Sequence, residues 1–476
     1  MQMFIGGAWV DGARQMPVTD PTTGVVFDTV PKGGPAEADA AIRAALAAFA
    51  LWKVVPMSER VRIQKACAAA MRAAADDLAA LLARELGRPL AGCLHEISRS
   101  AELLEIYAEE GLRLQATMAL ASAPGEKTIV TRDPVGVVVA ITPFNYPINL
   151  LMFKLGAALV AGCTVVAKPS EDTPLSTLML AGIFHTAGLP AGVFNVVTGG
   201  RDLGEALVAH PVPRKIAFTG SVPAGKAIAA AAAGTLKRLT LELGGHSAAI
   251  VCADADLDKA ATAITRHGFA NTGQFCYRVN RVYVDALVYQ DFLARLVAKV
   301  QALTVAPAGG SGDLGPLVNE KIFANSARQI ADARAKGAWV LTGGDRLTGP
   351  GFDGGFYLPP TVLADASPDM LVMQEETFGP VLGIAAVASA AEALALANDS
   401  RMGLAGFVFT RDLARGLTLC EGLEVGSVWL NDIQRSSHYV PFGGMKESGL
   451  GREKGRYGVE AYLEYKTVYL SYEVPD

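Results

Sequence analysis

Cys276 stands alone in the run "FANTGQFCYRVNRVYV", between Phe269 and Val284, with no second cysteine near it. Free cysteine is most often a buried structural thiol. Its flanks argue otherwise here: Gly273 lets the backbone bend, and polar Gln274 stands where a core run would be apolar. A thiol that acts as a nucleophile needs a base and a donor for the oxyanion it creates. No histidine neighbours Cys276 in sequence. The candidate base is Glu242 in "LTLELGGHS", at a strand end before two glycines, where poor solvation raises a carboxyl pKa. The candidate donor is Asn145 in "TPFNYPINL", between two prolines on a strand-to-helix turn. Taken singly, Glu242 also reads as a salt-bridged strand-end acid and Asn145 as an ordinary turn residue.

These residues sit on a chain that alternates short β-rich runs with helical ones from Val135 onward. "VGVVVAI", "CTVVAKP", "VFNVVTG" and "KIAFTGS" read as strands; "INLLMFKLGAALVAG", "PLSTLMLAGIFHTAG" and "PAGKAIAAAAAG" read as helices ending in glycine. Nearly continuous apolar strands between helices indicate an α/β fold with parallel sheets covered on both faces. The alternation pauses at Leu243–Gly245 and restarts with "SAAIVC", "DLDKAATAITRHGFAN" and "RVNRVYV", then "AWVLTGG", "GFVFT" and "GSVWLND", as a second α/β domain. Residues 1 to about 114 read as mostly helical and Ala-rich. The long apolar stretch after Val135 contains Pro143, Pro147 and Lys154, which favours a buried βαβ unit over a membrane span.

Length and charge set the outer bounds. With 476 residues, 51% of them hydrophobic, the chain can bury more than one core. A net charge of −5 without basic runs does not fit a nucleic-acid binder. Six scattered cysteines, with no C-x-x-C pair and no histidine at zinc spacing, indicate a reduced, cytoplasmic protein without a metal. The opening "MQMFIGGAWVDGARQ" has no signal-peptide pattern.

The set "TPFNYP", "KPSE", "FTGS", "LELGG", "GQFC", "EETFGPV" and "PFGGMKESGLGRE", in this order, resembles the NAD(P)-dependent aldehyde dehydrogenase superfamily, as does the opening "FIGGAWVDG". The resemblance implies Cys276 as nucleophile, Glu242 as general base and Asn145 as the side-chain half of an oxyanion hole completed by the Cys276 backbone N–H. It implies Lys154 near a proton pathway. Thr142, Pro143, Phe144, Lys168, Ser170, Glu171, Gly220, Ser221 and Leu243 are implied around the dinucleotide, with Lys168 and Glu171 at the adenosine ribose and Ser221 and Gly220 at the pyrophosphate. Glu376 and Phe378 are implied at the nicotinamide ribose and ring. The segment "KIAFTGSVPAGK" agrees independently: strand, small-residue turn and helix start make an anion site from backbone N–H groups and the helix dipole.

The resemblance further implies two Rossmann-type α/β domains and a small β oligomerisation arm. Residues 1–114, 133–244 and 447–462 would form the cofactor-binding domain, 245–446 the catalytic domain, and 115–132 with 463–476 the arm of a homodimer or homotetramer. NAD is the expected cofactor, with NADP as the alternative. The expected reaction takes an aldehyde to a carboxylic acid through a cysteine thiohemiacetal and thioester. Near the nucleophile, Tyr277 and Arg278 follow Cys276, and "NDIQRSSHYVPFGG" brings Arg435 and His438. Read plainly, these are ordinary loop residues. Read sharply, a cation among them meets an acidic tail on a short semialdehyde. An aromatic or aliphatic aldehyde is the alternative. A coenzyme-A-acylating dehydrogenase conflicts with Glu242, a redox-free cysteine hydrolase with the cofactor motifs, and a silent homologue with the intact Cys276, Glu242 and Asn145 set.

Overall fold

The structure is a computed structural model that describes residues 1–119, 123–306, 312–433 and 436–474. Two open α/β sheets organise it. The first has eight strands, in the order Ala8–Val10, Met3–Ile5, Phe194–Val196, Thr164–Lys168, Val137–Ile141, Lys215–Thr219, Arg238–Glu242 and Gly449–Leu450. Its five inner strands are parallel, and each edge is closed by antiparallel pairing. The second has seven strands, in the order Trp339–Thr342, Thr361–Ala364, Val381–Val387, Val279–Asp285, Ser247–Val251, Ala405–Phe409 and Ser427–Leu430. All its pairings are parallel except that of Trp339–Thr342.

The apolar runs behave as their composition requires. Val137–Ile141 and Thr164–Lys168 are buried at every position. In the helix Pro147–Ala161 only Asn149 escapes full burial, as a helix apolar on all sides must. Pro147 starts that helix, and Gly162 ends it at φ 94°, a left-handed conformation that glycine adopts without Cβ strain. No helix among the described residues is long and apolar enough to cross a membrane.

The first 114 residues are mostly helical, as expected, but they open on strands. Four helices do cover Pro35–Leu112, but Met3–Ile5, Ala8–Val10, Gln15–Asp20 and Val25–Pro31 precede them as strands. The first two complete the edge of the first sheet, and the other two pair with each other. A third sheet joins Leu463–Ser471, Glu126–Pro134 and Thr117–Ala119 in antiparallel fashion, with mostly exposed residues along its last strand. Residues 120–122 and 475–476 of the expected arm lie outside the described residues.

Candidate active site

Cys276 follows the turn Ala270–Gly273, which leaves the helix Leu257–Phe269 and feeds the strand Val279–Asp285. Asn271 and Thr272 take left-handed φ values of 50° and 55°, and Gly273 takes 73°. A Cβ on Gly273 would strike the Gly379 backbone, so the turn is as close-packed as its glycine implied. The Asn271 side-chain amide donates to the Asn145 carbonyl at 3.0 Å and to the Gln274 carbonyl at 3.1 Å. That bond ties the Cys276 turn to the turn carrying Asn145, across the junction of the two large sheets.

Asn145 and Cys276 both line a cavity of about 450 Å³. Asn145 is 2% exposed, and its Oδ1 has no hydrogen-bond partner. Its turn is held from behind: Glu96 accepts from the Ile148 and Asn149 N–H groups at 3.0 Å each, and Arg88 pairs with the same carboxylate. Leu150, Phe153, Phe275, Tyr277 and Phe442 give the cavity an apolar wall, and Tyr277 stacks on Trp429 with ring centroids 5.9 Å apart.

Glu242 ends its strand 2% exposed, with neither carboxylate oxygen hydrogen-bonded among the described residues. Burial pushes its pKa well above the ordinary carboxylate range, helped by the charge of Glu453 and opposed by Lys154. Burial, then the Glu242 and Glu376 charges, pushes the Cys276 thiol up to about 12. Burial raises the affinity of both groups for a proton, and the Glu242 charge adds to that of Cys276. Lys154 is fully buried, with Nζ 2.9 Å from Glu453 Oε1 and 2.6 Å from Thr219 Oγ1. Glu453 was not singled out in the sequence: in "REKGR" it reads as one of a run of surface charges.

The residues expected around a dinucleotide gather along the carboxyl ends of the first sheet, where open α/β sheets bind ligands. Lys168 is buried with Nζ 3.6 Å from Glu171 Oε1. A Cβ on Gly200 would lie 3.6 Å from Glu171 Oε1, and one on Gly204 3.7 Å from Lys168 Cδ, so open glycine backbone flanks the pair. Thr142 Oγ1 is buried without a partner. Pro143 precedes Phe144, whose ring meets that of Phe378 edge-on at 5.8 Å. Ser170 Oγ instead contacts the Asp172 carboxylate at 3.5 Å. Gly220 and Ser221 lead into the helix Val222–Ala233, whose start has no side-chain cap. Leu243 packs against Gly225 beneath that helix. Glu376 accepts from the Gly245 N–H at 3.0 Å, and burial lifts its pKa to about 7. A Cβ on Gly244 would collide with that carboxylate. A buried cation beside a half-exposed acid, an orphan hydroxyl, glycine-walled backbone and an uncapped helix start fit a dinucleotide.

The four residues named for the substrate separate. Tyr277 and His438 line the cavity. Arg278 does not: it is 1% exposed and its guanidinium donates to the Val381 carbonyl. The expectation that it meets a substrate anion is corrected, because the step from Tyr277 to Arg278 turns the side chain into the second domain's interior. Burial, then the charges of Lys454 and Arg99, lowers His438 to about 3, so it is neutral. Arg435 lies outside the described residues. Three basic residues that sequence reading passed over, Arg99, Arg266 and Lys454, do line the cavity.

A model of the aldehyde dehydrogenase family matches residues 9–468. Glutarate-semialdehyde dehydrogenase of Pseudomonas aeruginosa is 41% identical over 469 residues, covering 98% of this chain and 96% of that protein. Succinate-semialdehyde dehydrogenase [NADP(+)] of Escherichia coli is likewise 41% identical over 469 residues, covering 98% and 96%. The crystal structure of succinate-semialdehyde dehydrogenase from Burkholderia pseudomallei superposes with a TM-score of 0.96 at 41% identity, covering 99% of this chain and 98% of that one.

Proposed function

This chain belongs to the aldehyde dehydrogenase family, and from that premise we propose that it oxidises a short aldehyde bearing an acidic group, with Cys276 as nucleophile. It is an NAD(P)-dependent oxidoreductase acting on aldehydes. The observation that carries the residue assignment is one cavity shared by Cys276 and Asn145, with the Glu242 charge close enough to act on the Cys276 thiol.

In this reading the Cys276 sulfur adds as thiolate to the aldehyde carbonyl. The Asn145 amide and the Cys276 backbone N–H donate to the oxyanion. The dinucleotide, held by Lys168, Glu171, Ser221 and Glu376, supplies the hydride acceptor. Glu242 then takes a proton from water as that water attacks the thioester on Cys276, releasing the acid. Lys154 and Glu453 lie next to Glu242 and set the charge around it. Burial makes the Glu242 carboxylate a stronger base than an exposed one.

NAD is our preferred acceptor. The Glu171 carboxylate favours ribose hydroxyls and repels a 2′-phosphate. Lys168 tempers this, and the Escherichia coli relative carries NADP in its name. We assign the cofactor domain to residues 1–114, 133–244 and 447–462, the catalytic domain to 245–446, and a homo-oligomer's arm to 115–132 with 463–476. The exposed last strand, Leu463–Ser471, leaves an edge that a second copy would cover.

The acidic substrate rests on the cationic side chains Arg99, Arg266 and Lys454 in the cavity wall and on the semialdehyde names of the relatives. A panel of aldehydes, with and without a terminal carboxylate and with each cofactor, tests it through absorbance of the reduced nicotinamide. Carboxylate-bearing aldehydes should give the higher kcat/KM. Equal or better turnover of the uncharged members refutes the substrate assignment.

A further inference from the structure

We propose that Lys454, steadied by the Ser436 hydroxyl, is the residue that reads the substrate's anionic group. This rests on the acidic-aldehyde reading above and names the side chain responsible.

Three cationic residues face the cavity, and two are already neutralised. Arg266 is 3.0 Å from Asp432, and Arg99 pairs with Glu102 while donating to the Ser436 carbonyl. Lys454 has no carboxylate within ion-pair distance among the described residues. Its ammonium donates to Ser436 Oγ and lies over the faces of Phe153 and Phe442, 4.7 Å and 4.8 Å from the ring centroids. Both rings and Ser436 line the cavity with it.

Lys154 shows how this fold neutralises a lysine that is only structural: a carboxylate sits 2.9 Å away. Lys215 is buried on a hydroxyl and a ring without a carboxylate, but it faces no described cavity. Lys454 combines the missing counter-charge with an open space in front of it. Burial, then the charge of Arg99, lowers its pKa to about 7, with Glu453, Cys276 and Glu242 opposing. An arriving anion would oppose both effects by favouring the charged ammonium. His438 adds a second polar group to the same wall. It is 4% exposed and neutral, and neither ring nitrogen is hydrogen-bonded among the described residues. A neutral imidazole beside an ammonium offers an N–H to the same anion.

The test is a ratio: kcat/KM for glutarate semialdehyde over kcat/KM for pentanal, which matches its chain length without the charge. In Lys454→Met the ratio should fall by about 30-fold, mainly through KM of the anionic aldehyde, as expected for loss of one charge-assisted contact. Lys454→Arg should keep most of it. Competitive inhibition by glutarate should weaken in parallel. A Lys454→Met ratio within threefold of wild type overturns the proposal while leaving the substrate class standing. A wild-type enzyme without preference for the anionic aldehyde overturns the substrate class and this assignment together. If Lys454→Met does not fold, Ser436→Ala decides: its ratio should fall by about fivefold, and an unchanged ratio overturns the proposal.

Discussion

Lys154 and Glu453 lie 299 residues apart in sequence and meet with Nζ 2.9 Å from Oε1, both almost completely buried. Removing one partner of such a pair strands the other charge, at a cost of about 3–5 kcal/mol. Lys154→Met should therefore destabilise the fold by that order in chemical denaturation. Lys154→Met with Glu453→Gln together should recover much of it, since no uncompensated charge remains. A single variant as stable as wild type would show that the pair does not hold the fold together.

Glu242→Gln separates the two half-reactions. Reduced cofactor should still appear in a rapid first turnover, followed by slow steady-state release of acid. The wild-type steady-state rate should fall as pH drops through the raised pKa of Glu242, because only the carboxylate can accept the proton from water. That acidic limb should disappear in the variant. Loss of the first turnover together with the steady state would assign Glu242 to ionising Cys276 instead.

Asn145→Ala removes one oxyanion donor from a site whose amide is 2% exposed. Donors of this kind are worth about 3–4 kcal/mol, or two to three orders of magnitude in kcat. Turnover within threefold of wild type would return Asn145 to a turn residue that merely links two proline-bounded elements.

Glu171→Ser removes both the ribose acceptor and the charge that repels a 2′-phosphate, while Lys168 stays 6% exposed nearby. The ratio of kcat/KM for NAD over NADP should exceed one in wild type and drop in the variant. A wild-type ratio below one, or a variant ratio that does not move, would place cofactor choice elsewhere.

Cys276, Glu242 and Asn145 were legible because each breaks a local pattern: a thiol after a polar residue, an acid at a strand end, an amide between prolines. Glu453 and Lys454 were not, because "REKGR" has the composition of a solvated loop. The pairings of Leu241 with Leu450, of Glu242 with Gly449 and of Phe442 with Glu453 carry that segment inside. Arg278 was misread for the opposite reason, since adjacency to Cys276 in sequence says nothing about which side of the backbone it leaves. The early strands Met3–Ile5 and Ala8–Val10 are three residues each, too short for an alternation to show. Val137–Ile141 and Thr164–Lys168 were readable because they are mostly apolar and bounded by glycine or proline.

The same pairing at Gly449–Leu450 orders the birth of the enzyme. The strand that ends in Glu242 waits for a neighbour more than 200 residues downstream, with the whole second sheet made in between. During synthesis that edge stands open after most of the molecule has taken shape, and the charge that Lys154 needs at Glu453 arrives only then. Long-range closures of this kind form slowly. Recovery of catalytic competence after dilution from denaturant should accordingly trail the recovery of helix signal.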